Sequence, residues 1–159
     1  MSLDAAGKVP TVGAGARWSD VLAFLDPRGL SVAVMQSDAR FSVGGSLSVG
    51  AHGWQAGRPP VTSTARALTV VKADGTAVRC SRTEEPELFS LVLGGYGLFG
   101  VIVTAELEVV ANEAYRPERR LVPVERYVET LDGLERAGDA ARWIALRSGE
   151  PAPGAPPSP

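Results

Sequence analysis

The sequence predicts an α+β fold with a mostly antiparallel sheet flanked by helices. Segments of strand and helix character do not alternate as they would in a series of βαβ units. The clearest strand pair is a hairpin over residues 65–81, with Asp74-Gly75 as a two-residue turn signal. From Val101 to Val109 every second residue is apolar, which is typical of a strand with one buried face. A hairpin and a half-buried strand favour an antiparallel sheet.

The N-terminal third begins with a short apolar stretch at residues 9–12, which "GAGAR" ends. In the following "WSDVLAFLDPRG", apolar residues recur at helical spacing, and Pro27 and Gly29 are expected to end the helix. "LSVAVM", residues 30–35, is rich in β-branched residues and predicts a strand. We therefore expect a helix and a strand before the glycine-rich segment that follows.

The C-terminal half contains two further helical patterns. "EEPELFSLVLGG" has a proline near its start, acidic residues in its first turn and Gly94-Gly95 at its end, which predicts a short buried helix. An amphipathic helix is predicted from apolar residues at 124, 128, 131 and 134, and "RWIALR" suggests one more strand. The Pro-rich residues 149–159 cannot pack into a core, so we expect ordered structure to end near Ser148.

Composition and charge exclude several function classes. The chain has 159 residues, is 45% hydrophobic and carries a formal charge of −2 with interspersed signs, so it shows no basic patch for nucleic acid or an anionic membrane. No apolar run approaches the roughly 20 residues of a membrane helix, and the N-terminus lacks the apolar core of a signal peptide. We expect a cytoplasmic protein that binds small molecules or proteins.

The chain has one cysteine and one histidine. Cys80 alone forms no intrachain disulfide, and we expect it to be a buried structural thiol. With so few ligands a zinc or iron site is not expected. Because no GxSxG motif occurs, a serine hydrolase lacks its usual signature.

The first glycine cluster, "FSVGGSLSVGAHG", occupies residues 41–53 and contains the only histidine. Free backbone N–H groups in such a loop form a concavity that binds anions, and Ser42, Ser46 and Ser48 add hydroxyl donors. A phosphate or pyrophosphate would fit there, held by backbone dipoles, because no lysine of a Walker loop is present. The alternative is an ordinary glycine-rich turn with His52 as a structural histidine.

The second glycine cluster, "GGYGLFG" at residues 94–100, lies between a predicted helix and a predicted strand. Two backbones from separate parts of the chain can therefore approach one flat object. This arrangement favours a flat, apolar ligand. The "GAGARW" segment that follows Val12 lacks the third glycine of a dinucleotide-binding fingerprint.

Three segments in order, "SVGGSLSVGAHG", "DGTAVRCS" and "PELFSLVLGGYGLFGVIV", carry a family resemblance. They resemble the second half of the FAD-binding domain in the vanillyl-alcohol oxidase / para-cresol methylhydroxylase superfamily. The similarity is to bacterial FAD-linked oxidases akin to cytokinin dehydrogenases and to sugar-alcohol or aldonolactone oxidases. It covers residues of about 9–110.

The resemblance implies FAD as cofactor and an alcohol or amine as the small-molecule substrate, oxidised by hydride transfer to flavin N5. It also implies cofactor-binding positions in both clusters. Ser42 and Ser48, with the backbone of Val43, Gly44 and Gly45, match the segment at the FAD pyrophosphate; Gly50, His52 and Gly53 match a "GxHG" against the cofactor; the backbone of Val101 meets it after the "GxFG" turn.

The resemblance also implies that this chain is truncated at both ends. The family's pyrophosphate loop, which often carries a covalently bound histidine, would precede the chain, and His52 does not match that histidine. Residues 1–110 would be the second half of the FAD domain, 111–148 the start of a substrate domain, and 149–159 a disordered tail. The alternative is a catalytically inactive fragment or interaction module that no longer holds FAD; an unrelated anion-binding module is a third interpretation.

Two further expectations follow from this comparison. The carboxylate base of the cytokinin-oxidising branch would fall on Ser37, which has no carboxyl group. Adjacent side chains of a strand point to opposite faces, so the neighbouring Asp38 does not take that position, and we expect it to be a solvated loop residue. A core built to pack against absent subdomains should leave apolar surface exposed around the strand at residues 101–109. We therefore expect self-association, and a monodisperse monomer in light scattering would count against it.

Overall fold

The structure is a computed structural model that describes residues 1–4, 6, 8–53, 58–114 and 120–137. In chain order its strands and helices are β1 (Ser2–Leu3), β2 (Pro10–Gly13), α1 (Trp18–Leu25), β3 (Leu30–Val32), α2 (Val43–Ser48), β4 (Ala65–Val71), β5 (Ala77–Ser81), α3 (Pro86–Val92), β6 (Val101–Leu107), β7 (Val109–Ala111) and α4 (Tyr127–Ala137). The predicted strand at 142–147 and the Pro-rich tail lie outside the described residues.

Within the described residues the strands form two sheets, and every pair of neighbouring strands is antiparallel. The larger sheet has the order β1-β2-β6-β4-β5, and β3 pairs with β7 in a smaller one. Apolar side chains of the larger sheet pack against α1, α2 and α3 in one core. The predicted α+β class with a mostly antiparallel sheet is therefore confirmed. The domain boundary at residue 110 stays a prediction.

Helix α1 matches its predicted pattern, since Trp18, Val21 and Leu25 are all fully buried. The α-helix ends at Leu25, before Pro27 as predicted, and Asp26–Arg28 adds one turn of 3-10 helix. Gly29 then reverses the chain at φ 67°. The apolar spacing thus fixes the helix, and the glycine ends it.

The hairpin between β4 and β5 is confirmed, but its turn is longer than the two residues predicted. Val71 pairs with Ala77, and the Lys72 N–H donates to the Thr76 carbonyl at 3.0 Å. The Gly75 N–H donates back to the Lys72 carbonyl at 2.9 Å, and Gly75 has a φ of 81°. This is a three-residue loop with a left-handed glycine, a common alternative to the two-residue turn.

The predicted strand at residues 30–35 ends at Val32, where its partner β7 begins pairing at Val109. The chain then runs along the start of α1 instead. There the Ser19 N–H donates to the Ala39 carbonyl at 2.8 Å, and the Trp18 N–H donates to the Phe41 carbonyl at 3.1 Å. These bonds hold residues 39–41 against the start of α1.

Strand β6 does not bury one face along its whole length, as its alternating sequence predicts. Thr104 pairs with Thr69 while Ile102 pairs with Val70, so Val103 is an extra, bulged residue. A bulge rotates the strand and exchanges its faces. Ile102 is therefore buried, whereas Val101 is 67% exposed. The prediction is correct for Ala105 and Leu107 and wrong for Val101 and Val103, which is 44% exposed.

The remaining helices show smaller differences from the predictions. Helix α3 buries Phe89 and Val92 but leaves Leu91 exposed, so it is half buried rather than buried. Helix α4 forms where the amphipathic pattern predicts it. None of the helices within the described ranges is both long enough and apolar enough to span a membrane.

Cys80 lies fully buried in the core, as predicted, and burial raises the pKa of its thiol.

Candidate functional site

The first glycine cluster forms a helix rather than the predicted loop. Helix α2 begins after Ser42, whose hydroxyl oxygen accepts a hydrogen bond from the Gly45 N–H at 3.2 Å. A serine at this position satisfies a backbone donor that the helix itself leaves unpaired. The backbone of Ser42 also forms an isolated antiparallel bridge with Arg17. The helix is therefore fixed by its cap and by the segment between β2 and α1.

The backbone donors at the start of α2 are already used within the protein. The Val43 N–H donates to the Ala16 carbonyl at 2.9 Å, and the Gly44 N–H donates to the Ala14 carbonyl at 2.8 Å. Together with the Gly45 bond to Ser42, these contacts leave no concavity of free N–H groups at 43–45. The predicted anion-binding loop is wrong on this point, because tertiary contacts pair donors that looked free in the sequence.

The Ser46 hydroxyl is also used inside the protein. It accepts a hydrogen bond from the Trp18 Nε1–H at 2.9 Å and donates to the Ser42 carbonyl at 3.0 Å. Ser46 is buried, so its predicted role as a phosphate donor is wrong. The residue links α1 to α2 instead.

Gly44 allows α2 to lie against the turn that follows β2. A Cβ atom at this position would lie 2.7 Å from the Ala14 Cβ and 3.1 Å from its carbonyl oxygen. Gly45, by contrast, faces outward and is exposed. One glycine of the pair is required for packing, and the other leaves bare backbone at the surface.

The second glycine cluster consists of two consecutive reverse turns. The first closes with the Gly95 N–H donating to the Val92 carbonyl at 3.2 Å, with Gly94 at φ 75°. The second closes with the Leu98 N–H donating to the Gly95 carbonyl at 3.0 Å. Its central residues, Tyr96 and Gly97, have φ values of 54° and 79°, as in a type I′ turn. The backbone therefore reverses twice within seven residues, 92–98.

Two hydrogen bonds join this double turn to the C-terminal end of α2. The Gly94 N–H donates to the Leu47 carbonyl and the Tyr96 N–H to the Ser48 carbonyl, each at 2.9 Å. At the same contact, a Cβ atom on Gly50 would lie 3.6 Å from the Gly94 Cα. The two glycine clusters thus lie side by side.

An open cleft of about 320 Å³ lies where these segments meet. It is lined mainly by glycines and small or aliphatic side chains, without any charged residue: Ala14, Gly15, Gly44, Gly45, Ser48, Gly97, Gly100, Val101 and Ile102. Within the described part of the chain, the N–H groups of Gly15, Gly97 and Gly100 and the Ser48 hydroxyl form no hydrogen bond. The cleft therefore offers a flat surface with a few neutral donors.

The structure divides the predicted cofactor-binding residues into two groups. Gly44, Gly45, Ser48 and Val101 line the cleft. The others do not: Ser42 caps α2, Val43 is in the core, Gly50 lies in the turn after α2, and His52 is exposed with its Nδ1 3.5 Å from the Gly53 carbonyl oxygen. The roles of all nine residues in binding a cofactor stay predictions.

Sequence reasoning missed the contribution of the segment after β2. Ala14 and Gly15 line the cleft, although "GAGAR" fails the dinucleotide fingerprint. The sequence did show two glycines directly after a predicted strand. Whether this segment lines a cleft depends on α2 packing against it, which the local sequence does not show. Gly97 and Gly100, from the second cluster, complete the lining.

Asp38 is a surface residue, as predicted. Its carboxylate pairs with the Arg40 guanidinium at 2.9 Å, and its side chain is 34% exposed. Hydrogen bonds from Arg40 hold the pKa of the Asp38 carboxyl below its usual range, so this group stays ionised at neutral pH. Asp38 is absent from the lining of the cleft.

Comparison with known proteins connects this chain to a family. A family model described as "FAD binding domain" matches residues 1–81, half of the chain. Cytokinin dehydrogenase 6 of Oryza sativa subsp. japonica is 40% identical over 149 residues, 92% of this chain and 24% of that protein. Cytokinin dehydrogenase 2 of Arabidopsis thaliana is 40% identical over 101 residues, 63% of this chain and 20% of that protein.

A relative from a second branch is the mitochondrial L-galactono-1,4-lactone dehydrogenase 2 of Oryza sativa subsp. japonica, 28% identical over 145 residues, 91% of this chain and 23% of that protein. The chain spans about a quarter or less of the length of these relatives. The family match and the relatives agree with the resemblance of the glycine motifs. The chain belongs to the FAD-binding-domain family of FAD-linked oxidoreductases, and its cofactor is FAD.

Proposed function

We propose that the cleft between α2 and the double turn at 92–98 is where this chain holds FAD. The observation that carries the proposal is the convergence of two glycine clusters and the segment after β2 on one surface. Glycine allows a ligand to lie directly against the backbone. Three segments distant in sequence thus present bare backbone to one object, which suits a flat ring.

The chemistry of the lining suits an uncharged part of FAD better than its pyrophosphate. The cleft contains no cationic side chain, and the donors of residues 43–45 are paired internally. Neutral donors remain at Gly15, Gly97 and Ser48, and they match ring carbonyl, ring nitrogen or ribityl hydroxyl acceptors. In this proposal the cleft receives a ring or the ribityl chain, and the pyrophosphate is bound elsewhere.

We further propose that the whole protein oxidises a small alcohol or amine. When bound, FAD supplies a hydride acceptor at N5 that no amino-acid side chain provides. The residues of this chain orient the cofactor and exclude water from one side of it. The names of the relatives, cytokinin and lactone dehydrogenases, support a small-molecule substrate.

A second candidate function, an interaction module without bound cofactor, is favoured by the apolar rim of the cleft. Val101 in the cleft is exposed, and so are Tyr96, Leu98 and Val103, which adjoin lining residues in sequence. Such a cluster promotes association of copies of the chain, and the expected self-association stays a prediction.

The absorption spectrum of the chain distinguishes these two functions. After incubation with excess FAD and removal of free cofactor, the proposal predicts a protein fraction that retains the visible bands of an oxidised flavin. The same treatment of unfolded chain in urea should give a colourless fraction. A colourless native fraction, confirmed as folded by circular dichroism, would favour the interaction module.

A further inference from the structure

Tyr96 has a backbone conformation that a residue with a side chain rarely adopts. Its φ is 54°, and within the described ranges Glu85 is the one other non-glycine residue with a positive φ. This left-handed region is disfavoured because the Cβ crowds the following carbonyl oxygen. Burial of the ring does not offset that cost, since Tyr96 is 73% exposed. Strained residues cluster at functional sites, so strain in an exposed aromatic residue indicates a functional role.

The strained residue lies at the edge of the cleft. Its N–H donates to the Ser48 carbonyl at 2.9 Å, and both Ser48 and the next residue, Gly97, line the cleft. Glycine occupies positions 94, 95 and 97, so Tyr96 is the one side chain in "GGYG". A fourth glycine would form the same type I′ turn without strain. The turn alone therefore does not require a tyrosine.

We propose that the Tyr96 ring, exposed at the edge of the cleft, stacks on a flat heteroaromatic ring of the cofactor. The inference rests on the proposed function, because it needs FAD in the cleft. Aromatic side chains bind flat heterocycles through their faces, with little loss of rotamer freedom on binding. The lining of the cleft, which does not include Tyr96 itself, has bare backbone and aliphatic groups but no aromatic ring. Tyr96 thus supplies the stacking partner that the cleft itself lacks.

Two matched substitutions separate stacking from relief of strain. Tyr96→Gly and Glu85→Gly each replace a left-handed residue by glycine, but Glu85 precedes α3 at the end away from the cleft. We expect both variants to have a higher melting temperature than the parent. We expect the Kd for FAD, measured by titration of flavin fluorescence, to rise roughly tenfold for Tyr96→Gly and to stay unchanged for Glu85→Gly.

Two further variants test whether the aromatic face is the relevant feature. Tyr96→Phe keeps the ring, and its Kd for FAD should stay within about twofold of the parent value. Tyr96→Leu keeps the bulk but not the aromatic face, and its Kd for FAD should rise as much as that of Tyr96→Gly. Titration with riboflavin and with ADP identifies which ring of FAD is stacked. A weaker complex of Tyr96→Gly with either ligand supports the proposal, and the affected ligand names the ring.

The outcomes for the two proposals differ. If the parent binds FAD and Tyr96→Gly binds it equally tightly, the stacking role is wrong while the proposed function stands. Equal weakening by Tyr96→Gly and Glu85→Gly would likewise overturn stacking, because strain relief would then explain the change. If the parent binds no FAD, the proposed function is wrong and the stacking role is overturned with it.

Discussion

Trp18→Ala is expected to lower the free energy of unfolding by about 3–5 kcal/mol, as truncation of a buried tryptophan usually does. Trp18 is the first residue of α1 and is 0% exposed. Its indole N–H donates to the Ser46 hydroxyl at 2.9 Å. The ring therefore connects α1 to the helix that forms one side of the cleft, and its removal leaves both a cavity and a broken buried hydrogen bond.

Urea denaturation followed by circular dichroism measures the effect of Trp18→Ala. Leu98→Ala is the matched apolar truncation at the surface, because Leu98 is 82% exposed. Its unfolding free energy should change by no more than about 0.5 kcal/mol. Equal losses for the two variants would contradict the position of Trp18 in the core.

Gly95→Ala is expected to lower the free energy of unfolding by about 3 kcal/mol, at the upper end of what overpacking costs. A Cβ atom on Gly95 would lie 2.0 Å from the Leu91 carbonyl oxygen and 2.9 Å from the Phe99 ring. The carbonyl belongs to α3 and cannot rotate away as a side chain does. The double turn must therefore shift as a whole, and its bonds to α2 are lost with it.

The matched control for Gly95→Ala is Gly75→Ala in the β4–β5 loop. Gly75 has a φ of 81°, but a Cβ atom there would have no other atom within 4 Å, so its cost of about 1 kcal/mol is purely conformational. Thermal unfolding of both variants separates the steric cost from the conformational one. A smaller loss for Gly95→Ala than for Gly75→Ala would show that the double turn is not closely packed on α3.

Local sequence patterns predicted those elements whose cause is local. Helix α1 follows from the spacing of Trp18, Val21 and Leu25, and the hairpin follows from Asp74-Gly75 between two strand-forming segments. The bulge at Val103 could not be predicted, because it arises where the registers of β4 and β6 differ. Its consequence, the exposure of Val101, was therefore missed.

Helix α2 shows the same limit more strongly. "VGGSLS" has two glycines and a β-branched residue, which are poor helix formers. The helix is stabilised by Ser42 and by the Ala14 and Ala16 carbonyls, which come from a distant segment. The glycines therefore indicated correctly that two segments of backbone approach closely here. Whether their N–H groups are free or hydrogen-bonded depended on partners that the local sequence does not reveal.

The affinity of a matched pair of variants for FAD tests the central claim, that the glycine-lined cleft is the cofactor site. A Cβ atom on Gly15 or on Gly13 has no protein atom within 4 Å, so a leucine side chain at either position starts in open space. Gly15 lines the cleft and Gly13 does not. We expect Gly13→Leu to bind FAD as the parent does, and Gly15→Leu to bind it at least tenfold more weakly with an unchanged melting temperature. Equal affinity of all three proteins for FAD would contradict the assignment of the cleft.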